Sequence, residues 1–80
     1  METANLTTAA EVVDLSLETM KNHGKARYIY NGKRFTIITA GGTQIIDTTN
    51  PKKRPLRLQY TELVDTPSLA SSRIQNFMAN

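Results

Sequence analysis

"KARYIYNGKRFTIITAGGTQIIDTTN", Lys25 to Asn50, decides the fold, because here the apolar residues recur at a period of two and two turn signals interrupt them. Asn31-Gly32 stands between β-prone runs. A two-residue hairpin turn needs positive φ at both central positions, which Asn-Gly accepts at little cost. A tight turn pairs Tyr30 with Lys33 and Tyr28 with Phe35. One face then carries Tyr28, Tyr30, Phe35 and Ile37, and the other Arg27, Ile29, Arg34, Thr36 and Ile38. Gly41-Gly42 reads as a second two-residue turn. That register sets Ile46 beside Ile37 and brings Asp47 near Thr36, within reach of Arg27 or Arg34. It also puts Ile45 with Ile29 and Ile38 on the face away from the aromatics, where a second copy of the chain would cover them. A three-stranded antiparallel meander results.

Outward from this core the period changes to that of a helix. Thr8 is placed to cap residues 8–23 and Glu11 stands three positions on, the spacing of a capping box. Val13, Leu17 and Met20 recur at helical spacing, and Gly24 is read as the left-handed residue that closes the last turn. Downstream, Leu56, Leu58 and Tyr60 alternate with Arg57, Gln59 and Thr61, which predicts a fourth strand at an edge, next to Pro51 and Pro55. Thr66-Pro67 opens a second helix, with Leu69, Ala70, Ile74, Phe77 and Met78 as its apolar side. The expectation is a small α+β domain in α-β-β-β-β-α order, an antiparallel sheet with helices packed on one face. Residues 1–7 are read as a flexible N-terminus and 8–80 as the single domain.

Eighty residues bury roughly two-thirds of their unfolded surface, so every element must share one core. No cysteine is present, which removes disulfides, a thiolate nucleophile and a Cys-based zinc site. The N-terminal stretch has neither a basic start nor an unbroken apolar run, so an intracellular, cytoplasmic setting is expected, or a nuclear one in a eukaryote. Net charge is +3, but nine of the ten Lys and Arg residues fall between positions 21 and 57 against the single acid Asp47, which leaves +8 in that window.

Catalysis finds little material. His23 is the only histidine and sits at the predicted helix end, and Ser68, Ser71 and Ser72 occupy the first turns of the second helix, where serine serves backbone hydrogen bonding. Gly41-Gly42 lacks the lysine and the following helix of a phosphate-binding loop. No catalytic residue, metal ligand or cofactor site is expected. The aromatic face invites comparison with base-stacking platforms, yet two amphipathic helices need a surface to cover, which argues for core.

The basic residues remain. "PKKRP", Pro51 to Pro55, resembles a monopartite nuclear import signal and, more loosely, the proline-flanked basic core of an AT-hook. Lys52, Lys53, Arg54 and Arg57, with Arg27, Lys33 and Arg34 on the hairpin, make up the candidate binding set. Such cations neutralise phosphates and release counterions. The expectation is a small non-enzymatic module contacting nucleic acid largely through phosphates, with a homodimer possible. The rival is an inhibitor or adaptor of the phage or mobile-element type, turning the same surface to an acidic protein.

Overall fold

The computed structural model describes residues 3–79. Five strands form one sheet in the spatial order of the sequence: β1 (Thr3–Asn5), β2 (Lys25–Tyr30), β3 (Lys33–Thr39), β4 (Thr43–Asp47) and β5 (Leu56–Leu58). Three helices, α1 (Ala9–Lys21), α2 (Tyr60–Asp65) and α3 (Pro67–Ala79), complete the chain. None of them is long and apolar enough to cross a membrane. The α+β class and the meander stand as read from the sequence. In the first hairpin Tyr30 pairs with Lys33 and Tyr28 with Phe35, and Asn31 and Gly32 hold φ of 51° and 77°.

The sheet is mixed, not purely antiparallel. Thr3–Asn5, inside the segment expected to be a flexible tail, pairs parallel with β2, Ala4 opposite Tyr28. Parallel neighbours need a crossover of about a dozen residues or more. The 13-residue α1 supplies it, carrying the chain back along one face of the sheet. Thr8 caps that helix as expected, with the full capping box to Glu11. Its other end differs: His23, not Gly24, takes the left-handed conformation at φ 50°. His23 N–H donates to Met20 O and Gly24 N–H to Thr19 O, the paired bonds of a Schellman closure.

The second hairpin corrects the register. Thr39 pairs with Thr43 around a three-residue loop, Ala40 to Gly42, so Ile37 faces Ile45 and Phe35 faces Asp47. One extra loop residue shifts the pairing by one and turns every side chain of β4 to the other side. Ile45 is therefore fully buried, Ile46 lies on the open face, and Asp47 points into the helix-covered side, away from Arg27 and Arg34. The last strand is shorter than expected. It ends at Leu58, and Tyr60 begins α2 with its side chain exposed. Leu69, assigned to the apolar side of the last helix, is also exposed.

The helices cover one face only. Tyr28, Phe35, Ile37, Ile45 and Leu58 from the sheet meet Val12 and Val13 of α1 and Ala70, Ile74, Phe77 and Met78 of α3. Tyr28 and Phe35 stack with centroids 5.1 Å apart, and Phe77 lies against Phe35 at 6.1 Å. The Tyr28 hydroxyl donates to Met78 Sδ at 3.4 Å. Burial, then the nearby Asp47 carboxylate, pushes its pKa far above the ordinary value, so the phenol stays neutral. The aromatic face is core.

Candidate functional site

Strand parity decides which cations reach a partner. On β2 and β3 the residues alternate between the helix side and the open side, so Lys25, Arg27 and Ile29 share the open face with Arg34, Thr36 and Ile38. Gln44 and Ile46 join from β4 and Arg57 from β5, since Gln44 pairs with both Ile38 and Arg57. Lys25, Arg27, Arg34 and Arg57 are exposed. Among the described residues none of the four has an ion-pair partner, and no acid shares the face.

Part of this surface is concave. Arg27 and Arg34, with Thr3, Thr36 and Thr48, line a hollow of about 250 Å³ beside the β1 end of the sheet. The loop after β4 fixes one of its walls. Thr49 Oγ1 accepts from Arg34 N–H at 2.8 Å, while Thr48 donates its N–H and its hydroxyl to Arg34 O at 3.0 and 2.9 Å. The loop is in turn pinned by Asp47, whose Oδ1 accepts the N–H of Thr49 and Asn50, both at 3.0 Å. Two guanidinium donors and several hydroxyls around an open hollow suit a tetrahedral oxyanion.

The seven candidate cations do not act together. Lys53 turns inward: its ammonium donates to Phe77 O, lies 4.2 Å from the Phe77 ring centroid and stands 3.8 Å from Asp47 Oδ2. Lys33, on the helix-side parity with Tyr30, donates to Met78 O at 3.3 Å. Both lysines thus satisfy carbonyls that the last turn of a helix leaves without partners, at the end where its dipole favours cations. Arg27, Arg34 and Arg57 share the open face. Lys52 and Arg54 stay exposed on the loop, on either side of the anchored Lys53.

Sequence reasoning missed Lys25, although the parity that selected Arg27 would have included it, and missed Gln44 because the two-residue turn put β4 on the wrong face. A second hollow, on the helix side, is apolar and lined by Leu17, Met20, Lys21, Tyr60 and Val64. Among the described residues no three His, Asp or Glu side chains converge as a metal site would require.

The fold and this surface define an α+β module with one sheet face sealed by helices and the other open and cationic. Comparison with family models, with curated proteins and with solved structures returns no match. Its function is therefore argued from its own residues.

Proposed function

We propose that the chain is a small non-enzymatic module that binds nucleic acid, with the open sheet face as its contact surface and phosphates as its main contacts. One observation carries the reading: Lys25, Arg27, Arg34 and Arg57 stand on one face with no acid beside them among the described residues. Unpaired like charges cost stability, and a polyanion that neutralises them repays it. Lys52 and Arg54 extend the field from the adjoining loop, while Lys33 and Lys53 serve the fold. A homodimer through this face is not part of the proposal. It rested on Ile29, Ile38 and Ile45 forming an uncovered apolar face; Ile45 is buried on the helix side, and across the remaining face four cations would meet four cations.

A salt titration of binding to two unrelated duplexes tests it. Replacing Arg27, Arg34 and Arg57 by Ala should weaken both complexes to a similar degree. It should also flatten log affinity against log salt by roughly 2–3, at about 0.9 for each phosphate no longer neutralised. No binding by the wild-type protein at low salt would overturn the reading and turn attention to an acidic protein partner. Losses there would concentrate in one or two arginines.

A further inference from the structure

The arrangement of charge on the open face says which nucleic acid fits it. Lys25, Ile38, Gln44 and Arg57 form one row across β2 to β5. Three inter-strand steps of about 4.8 Å separate the row's ends by about 14 Å. Arg27 reinforces the Lys25 side, opposite Thr36 and Ile46 in the next row. Two cationic margins therefore flank an uncharged strip of Thr36, Ile38, Gln44 and Ile46, with Arg34 closing one end. We infer, on the nucleic-acid reading above, that this face docks on the major groove of B-form duplex DNA.

The dimensions and the chemistry agree. That groove is about 12 Å wide, bounded by a phosphate rail on each side, and its floor offers base-edge donors, acceptors and thymine methyls. Lys25 and Arg27 meet one rail and Arg57 the other. Gln44 supplies an amide able to bond adenine at two points, Thr36 a hydroxyl, and Ile38 and Ile46 apolar contact for methyl groups. The hollow between Arg27 and Arg34 seats a phosphate of the nearer strand.

Other nucleic acids fit less well. Single strands are held by stacking bases on aromatic rings, and this face has none: Tyr28, Tyr30, Phe35 and Phe77 are buried, and Tyr60 lies with the helices. Duplex RNA presents a major groove too deep and narrow for side chains to read.

Fluorescence anisotropy with one sequence as duplex DNA, single-stranded DNA and duplex RNA decides the matter. Duplex DNA should bind at least about tenfold more tightly than either, a margin of about 1.4 kcal/mol. On a duplex enriched from a random pool, the protein should shield guanine N7, a major-groove atom, from methylation. Gln44→Ala should narrow the gap between enriched and random duplexes without changing the salt slope, whereas Arg57→Ala should lower the slope by about 0.9. Equal or tighter binding to the single strand or to duplex RNA, or unshielded N7, overturns the groove while leaving nucleic-acid binding standing. Absence of binding to all three overturns both.

Discussion

Lys33 and Arg34 are neighbours in sequence with opposite duties, and a single step of strand parity separates them. Lys33 points to the helix side and closes α3, while Arg34 points out and lines the hollow. Parity was legible from the Asn31-Gly32 turn, so Lys33 could have been withdrawn from the binding set by the pattern that placed Tyr30 in the core. Lys53 could not, because its anchors, Phe77 24 residues on and Asp47, come together only through the packing of α3 on the sheet and the register of β4. Local chemistry was more readable at Thr8 and Glu11. The Thr7 N–H, then its hydroxyl and the Thr8 groups, hold the Glu11 carboxyl below its ordinary value of 4.5. A pKa lowered by folding contributes stability that is present above the unfolded value and lost as pH falls through the folded one. Glu11→Gln keeps an acceptor oxygen but not the charge. Its melting temperature should lie below wild type at about pH 7, and the gap should close as pH falls through the lowered value of Glu11, below which both side chains are neutral. Thermal melts by circular dichroism across that range check it, and a gap unchanged by pH would leave the charge without a role.

At the scale of elements, the first hairpin was readable in full and the second only in outline, for a reason visible at Gly41 and Gly42. Both adopt positive φ, 63° and 119°. Two adjacent glycines fit a two-residue turn and a three-residue loop equally well, and the choice between them reverses the faces of β4. What selects the longer loop is tertiary. A Cβ on Gly42 would stand 2.9 Å from Leu58 O, so the glycine is where β5 closes against the loop, whereas a Cβ on Gly41 would meet open space. β5 and β1, at three residues each, are too short to show a period, which is why one was overextended to Tyr60 and the other passed unseen. The two glycines should separate in denaturant. Gly41→Ala should cost about 1 kcal/mol, the ordinary penalty of a left-handed alanine, and Gly42→Ala about 2 kcal/mol or more, from a φ that is essentially glycine's own plus the clash. Amide exchange at Leu58 should accelerate in the second variant alone. Equal losses would mean that the close approach of β5 contributes nothing.

Across the whole molecule the charge is divided as the sheet is. Acids and cations meet on the helix side, where Arg73 bridges Glu62 and Lys53 faces Asp47, while among the described residues the only charges on the open face are cations. Adjacent members of that set lie about 7 to 14 Å apart by strand geometry, close to the Debye length of about 10 Å at 0.1 M salt. Their mutual repulsion should therefore be felt in dilute buffer and largely screened near physiological strength. The free protein's melting temperature should rise between about 10 mM and about 200 mM sodium chloride. Replacing Arg27, Arg34 and Arg57 by Gln should raise it at the low-salt end and flatten the dependence, because the repulsion is gone and no ion pair among the described residues is broken. The same three changes weaken binding, so stability and affinity should move in opposite directions, the signature of a surface held in tension for a ligand. Screening would instead weaken a face stabilised by hidden ion pairs. A melting temperature that falls with added salt, or a Gln variant less stable than wild type at about 10 mM, would show that these arginines hold the sheet together and are not reserved for a partner.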